Sequence, residues 1–234
     1  MTFLRTLSLA LALTYAAPTF AQTSLTPAQR QGAPIIEGVQ FIGPPPAPDS
    51  AQAAADRLAT HPQVSAERLA QAVSDETLDP WLAFHSIFGD SFTAARLPHT
   101  ADLLRLVAVT AGPVIGATKG AQMRPRPFIA DPSVVQCPLD ESLRTQSSYP
   151  SGHSTIGYAW ALVLAELAPS RADAILLRGR EYGDSRVICG MHFPSDVRAG
   201  RLLASGIVAR LHADPAFRRA LDAARRELAR AYPQ

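Results

Sequence analysis

The chain has 234 residues, enough for one domain with a sizeable buried core. With 47% hydrophobic and 18% charged residues it has the composition of an ordinary globular protein, and a net charge of +2 excludes bulk electrostatic attraction to nucleic acid. Its 22 basic residues include a single lysine, Lys119, which marks that position as one where an ammonium stands in place of a guanidinium.

Residues 1–21 read as a signal peptide. MTFLR supplies one arginine, TLSLALALTYAA is a short apolar run, and APTFAQ offers small residues for cleavage after Ala21. The run is too short for a bilayer span and no second one follows, so export to a periplasm is expected, with no stable membrane span. Residues 22–50 form a proline-rich arm. Its Gly43–Pro48 run cannot be helical, and Ile35, Ile36, Phe41 and Ile42 are expected to pack it onto the body. Residues 51–234 are read as the catalytic domain.

Within that domain the pattern is helical. Asp49 or Ser50 can cap Ala51–Ala59, Ser65 starts another helix, and Asp79-Pro80-Trp81 opens a third through Phe88. Thr100 to Thr118 is long and apolar but holds Asp102, Arg105 and an internal Gly112-Pro113, which predicts a buried, kinked core helix rather than a span. Phe128 to Tyr149 reads as a loop, long enough to suggest a functional role. Ser154–Leu167 predicts a central apolar helix stopped at Ala168-Pro169. Ser170 starts the next, Pro194 sits in the first turn of one over Ser195–His212, and Asp214-Pro215 begins the last. No alternating strands and no repeats occur. The expected fold class is all-α, a compact multi-helix bundle.

Two cysteines, Cys137 and Cys189, read as one disulfide in an oxidising compartment, with free thiols or a metal pair as the alternatives. Closing such a loop contributes roughly 4 kcal/mol on the chain-entropy account. Cys189 lies within SRVICGMHFPSD, Ser185–Asp196, the chemically densest stretch. There Arg186, His192 and Asp196 have the makings of a phosphoryl-transfer centre. A neutral imidazole can attack phosphorus, a carboxylate can fix its tautomer, and a guanidinium can bind two phosphate oxygens.

Two further motifs precede it. Lys119-x6-Arg126-Pro127 lies within KGAQMRPRPF, and Pro150-Ser151-Gly152-His153 within SSYPSGHS. Together the three resemble the signature of the phosphatidic acid phosphatase type 2 superfamily and, within it, the secreted class A bacterial non-specific acid phosphatases. The SYPSGH context, the ALVLAE and SRVICG runs and the C-terminal LHADPAF extend the likeness over roughly residues 40 to 225. The resemblance implies a helical bundle of the phosphatidic acid phosphatase type 2/haloperoxidase type. It implies His192 as nucleophile, Asp196 as its orienting carboxylate and His153 as general acid, charged at the working pH. Lys119, Arg126 and Arg186 match the cationic cradle, where Arg124 is the alternative to Arg126. Ser151 and Gly152 match hydroxyl and backbone donors to the same oxygens. Tyr149 is a candidate flank for the leaving group. Arg144, Arg178, Arg180, Arg198 and Arg201 are read as surface or structural, and His61, His85, His99 and His212 are given no chemistry. Phe193-Pro194 and Ser154 depart from residues frequent in relatives, which bears on substrate preference.

The implied activity is metal-independent hydrolysis of small-molecule phosphomonoesters, with transfer to alcohols as a possible side activity. No cofactor and no metal site are expected, and a homo-oligomer is a candidate assembly. Other readings are a vanadium-dependent haloperoxidase using the same cradle, a soluble lipid phosphatase, and a non-catalytic phosphate-binding protein. The two intact histidines argue against the last.

Overall fold

The computed structural model describes residues 35–60 and 62–233; the expected leader, the first part of the arm and His61 lie outside them. Among the described residues there are eleven α-helices and no strand. They are α1 (Gly38–Ile42), α2 (Ala51–Leu58), α3 (Ala66–Ser74), α4 (Pro80–Ala83), α5 (His85–Phe88), α6 (Pro98–Ala121), α7 (Pro127–Ala130), α8 (Gly152–Leu167), α9 (Ala172–Ile188), α10 (Pro194–His212) and α11 (Pro215–Ala231).

Local chemistry explains most helix starts. Side chains of Ser50, Ser65, Asp79, Ser151 and Asp214 each accept a backbone N–H in the first turn of their helix. Proline, which lacks the N–H that a first turn leaves unpaired, opens α4, α6, α7, α10 and α11. The helix expected from Asp79 through Phe88 is instead two short ones, broken at Phe84, whose ring is fully buried. The expected Phe128–Tyr149 loop contains α7 and two 3₁₀ turns, Pro132–Val134 and Glu141–Thr145. A 3₁₀ turn over Pro169–Arg171 precedes α9.

Helix α8 is central. It packs chiefly on α9 and α10, and also on α6 and α11. Leu103, Leu104, Leu106 and Val107 of α6, Trp160, Val163 and Leu164 of α8, Leu203 and Ile207 of α10, and Phe217 and Leu221 of α11 share one core. Trp160 is satisfied there by donating its Nε1–H to the Leu104 carbonyl at 2.9 Å. Helix α6 is long and apolar enough to cross a membrane by length and composition. Its apolar side is spent on this core instead, and it runs unbroken across Gly112-Pro113. The expected packing of the arm holds: Ile35, Ile36 and Ile42 lie against the core, and Phe41, partly exposed, lays its ring against Gly206 of α10.

Two close approaches position the functional end. Helix α10 crosses the start of α8 so tightly that a Cβ on Gly200 would sit 2.6 Å from the Ser151 carbonyl. Gly190, at φ +75°, turns the chain after α9 under the Val134 carbonyl, where a Cβ would lie at 2.3 Å. Beside that turn Cys137 and Cys189 form the disulfide expected from their pairing, within a smaller apolar cluster with Ala72, Phe128, Val134, Ile188 and Met191.

Candidate active site

One end of the bundle gathers residues from five elements around a cavity of about 450 Å³. Lys119 comes from the last turn of α6, Arg126 from the residue before α7, Gly152 and His153 from the first turn of α8, Arg186 from the last turn of α9, and His192 from the turn before α10. All six line the cavity. Asp196, in the first turn of α10, lies behind His192 and is fully buried. Ser151 is not on the cavity wall. Its hydroxyl caps α8, accepting from the Ser154 N–H at 3.3 Å and the Ser154 hydroxyl at 3.0 Å, which leaves its own proton to donate. Tyr149 points elsewhere. Its hydroxyl lies 3.3 Å from the carbonyls of Ile42 and Gly43, and it lines a separate groove with Pro44 and Pro46, so it does not flank this cavity.

The tautomer of His192 follows from its partners. Arg126 Nη1 lies 3.1 Å from His192 Nε2, and a guanidinium can only donate, so Nε2 carries a lone pair. The proton therefore sits on Nδ1, which faces Ser148 Oγ at 3.3 Å and Asp196 Oδ2 at 3.5 Å. The second distance is long for a hydrogen bond, and Ser148 closes the gap by donating to Asp196 Oδ2 at 2.6 Å. Burial, reinforced by the Arg126 and Lys119 charges, holds the His192 pKa well below its ordinary value against the pull of Asp196. A buried neutral imidazole whose Nε2 lone pair is held at the cavity by Arg126 can act as a nucleophile once that donor turns to a phosphate oxygen.

Asp196 is held as an anion. Burial pushes its pKa up, but the Nδ1–H side of His192, the Arg124 charge and the hydrogen bond from Ser148 outweigh this, and its pKa is lowered. The Phe193 N–H adds a bond of 2.8 Å to Oδ2, and Arg124 Nη1 one of 2.6 Å to Oδ1.

The three cations are poorly solvated. Burial, and then the neighbouring Arg126, lower Lys119 to about 7, while its ammonium donates to the Ser147 carbonyl. Burial, and then Arg186, lower Arg126 to about 10. Arg186 is 3% exposed, and its buried Nε has no hydrogen-bond partner. A buried donor without an acceptor costs about 1–3 kcal/mol, a deficit that an oxygen-rich anion in the cavity removes. His153 is also affected. Burial, and then Arg186, lower it to about 4 although the Glu76 carbonyl accepts from its Nε2 at 2.9 Å. These surroundings favour the neutral imidazole at mildly acidic pH, so the charge expected of His153 as general acid has to come with a bound phosphate.

A grouping of potential metal ligands, Glu76 with Cys137 and Cys189, lies nearby, but its two sulfurs are bonded to each other and are not thiolates. The arrangement fits an anion with several oxygens: three cationic groups, the first turn of a helix at Gly152, and a lone pair facing them.

Comparison with known proteins agrees with the chemistry. The sequence profile of the PAP2 superfamily matches residues 102–219, which hold every cradle and histidine position just described. The chain belongs to the PAP2 superfamily. It is 46% identical over 144 residues to the acid phosphatase of Zymomonas mobilis subsp. mobilis, covering 61% of this chain and 54% of that one. It is 45% identical over 153 residues to the non-specific acid phosphatase of Providencia stuartii, covering 63% and 60%. To the non-specific acid phosphatase of Salmonella typhimurium it is 41% identical over 147 residues, covering 62% and 59%. The chain thus spans a little over half the length of these relatives.

In this PAP2 protein, four residues near the site have no place in the sequence-derived set. Ser148 bridges His192 and Asp196. Arg124, weighed only as a substitute for Arg126, spans Asp196 and Asp56. Asp56 in turn accepts from the Ser195 N–H at 3.1 Å and so anchors the start of α10. Glu76 pairs with Arg186 at 3.0 Å. Ser148 adjoins the PSGH motif, a signal that was available. Asp56 and Glu76 stand 139 and 110 residues from their partners and carried none.

Proposed function

We propose that this chain is an exported, metal-independent acid phosphatase that hydrolyses phosphomonoesters through a phosphohistidine at His192. The observation that carries the reading is the His192 Nε2 lone pair, held at a cavity that Lys119, Arg126 and Arg186 also line. The names of the relatives point the same way. The cations bind the phosphate oxygens and stabilise charge in the transition state, the main demand of phosphoryl transfer. In the first step the Nε2–phosphorus bond forms and the phosphorus–oxygen bond to the leaving group breaks, with His153, protonated by the incoming phosphate monoanion, passing that proton to the departing alkoxide. Asp196 stabilises the positive imidazole. In the second step neutral His153 takes a proton from water, whose oxygen attacks phosphorus. The nitrogen–phosphorus bond breaks and phosphate leaves. An alcohol in place of that water gives phosphotransfer. Because the cradle grips phosphate oxygens only, many phosphomonoesters are accepted. The Cys137–Cys189 disulfide supports an oxidising compartment, for which residues 1–21 supply the leader.

The test is p-nitrophenyl phosphate hydrolysis at about pH 5.5 in excess EDTA. The reading predicts robust activity in the wild type and none above background in His192→Ala. Activity surviving in the variant overturns the nucleophile. An inert wild type that oxidises bromide once given vanadate and peroxide overturns the phosphatase reading altogether.

A further inference from the structure

Glu76 is an acidic residue built into the phosphate cavity. Its backbone carbonyl accepts from His153 Nε2 at 2.9 Å, and its carboxylate Oε1 accepts from Arg186 Nη1 at 3.0 Å. If His153 is the general acid, a residue bonded to it and to a cradle cation is placed on the side from which the leaving group departs. The turn carrying it is fixed at both neighbours. The buried Asp75 takes both Nη atoms of Arg178 and accepts from Ser185 Oγ at 2.6 Å, and the Thr77 carbonyl accepts from Tyr182 Oη at 2.8 Å. The backbone at Glu76 cannot retreat when substrate enters; only its side chain, 23% exposed, can adjust.

The cavity wall carries both signs of charge. Lys119, Arg126 and Arg186 are its cationic members, Arg186 being paired with Glu76, and Glu76 and Asp140 are its acidic members. Arg186 has a donor to spare, because its buried Nε is unpartnered. It can bind a phosphate oxygen through Nε while Nη1 keeps Glu76. Arg186 engages Oε1, which leaves Oε2 for a group on the ligand.

We propose that Glu76 makes this site selective for phosphomonoesters whose leaving group carries a protonated amine close to the ester oxygen, and selective against those carrying a second anion there. An ammonium on a two-carbon spacer meets Oε2 and gains a partly desolvated ion pair. A carboxylate at the same place meets a like charge. The proposal rests on the phosphatase reading above and deepens it from any phosphomonoester to a graded preference.

The experiment compares kcat/KM for three esters of nearly equal size: phosphoethanolamine, propyl phosphate and phosphoglycolate. Wild type, Glu76→Gln and Asp140→Asn are assayed at one pH and ionic strength, with p-nitrophenyl phosphate as the common reference. A partly exposed pair is worth at most about fivefold per step, so the wild type ranks amine over alkyl over carboxylate by about fivefold each. Glu76→Gln compresses both steps to about twofold, and Asp140→Asn compresses them less, because Asp140 has no bond to the cradle. Ratios within one variant do not depend on its folded fraction, so partial misfolding cannot mimic the result. Hydrolysis without ranking by charge in the wild type, or a ranking that survives in Glu76→Gln, overturns this inference alone. A wild type that hydrolyses none of the four esters overturns the phosphatase reading and this proposal with it.

Discussion

Replacing Arg124 by methionine should damage both the fold and the chemistry. Its guanidinium is 11% exposed and sits between two fully buried carboxylates, at 2.6 Å from Asp196 Oδ1 and 2.9 Å from Asp56 Oδ2, with the Phe193 ring 4.2 Å away. Methionine fills much of the volume but leaves Asp196 without its cation and Asp56 with only the longer 3.9 Å approach of Arg198. Breaking a buried pair from one side costs about 3–5 kcal/mol, and at about 2–4 °C per kcal/mol the melting point should fall by roughly 6–20 °C. The effect on the site has a definite sign. The Asp196 pKa is now lowered, so its stabilisation is present above the unfolded value and is lost as pH falls through the folded one. Without Arg124 one of the contributions that lower that pKa is lost, and it rises. Asp196 then takes up its proton at a higher pH than in the wild type and there ceases to fix the Nδ1–H tautomer of His192, so the acid limb of the kcat profile moves to higher pH. Lysine at this position keeps the charge but cannot fork between two carboxylates, and should recover part of each loss. Melting by circular dichroism and a pH–rate profile on p-nitrophenyl phosphate check this. A melting point within about 2 °C of wild type, or an acid limb that does not move, refutes the reasoning.

Other predictions concern pH and the disulfide. Because burial and Arg186 lower His153 to about 4, it is neutral at working pH, and its proton must arrive with the substrate as the phosphate monoanion. The second pKa of an alkyl phosphate is about 6, so kcat/KM should fall as pH rises through the substrate's own value and track it across leaving groups. A limb fixed near 4 contradicts this. Lys119, lowered to about 7, is cationic below that pH and loses its charge above it, so competitive inhibition by inorganic phosphate should weaken roughly tenfold or more as pH rises past 7. Lys119→Arg should flatten that dependence, as measured by Ki against pH. Replacing Cys137 and Cys189 by serine should cost about 2–5 kcal/mol in denaturant unfolding. Activity should fall as well, because Cys189 begins the Gly190 turn that leads into His192.

The helix starts were legible because caps and first-turn prolines are local chemistry: Ser50, Ser65, Asp79, Pro194 and Asp214 each act within one turn. The break at Phe84 was not, since it reflects one ring's place in the core. The cationic and histidine positions could be read from three short motifs, because each motif sits at a helix end that the fold brings to one cavity. What surrounds them could not. Asp56 and Glu76 reach the site across more than a hundred residues, and neither lies in a motif. Arg124 and Arg126 are two residues apart, and spacing alone cannot tell the one facing the cavity from the one braced against Asp56. Nor could sequence give the protonation of His153, which depends on burial and on the Arg186 charge beside it.

The most direct measurement is rapid-quench trapping of the enzyme during turnover of a phosphomonoester, followed by peptide mapping. The account predicts one phosphoryl group, labile in acid and stable in base, on His192, absent from His192→Ala. Turnover with no covalent phosphoenzyme, or with the phosphoryl group on another residue, contradicts it.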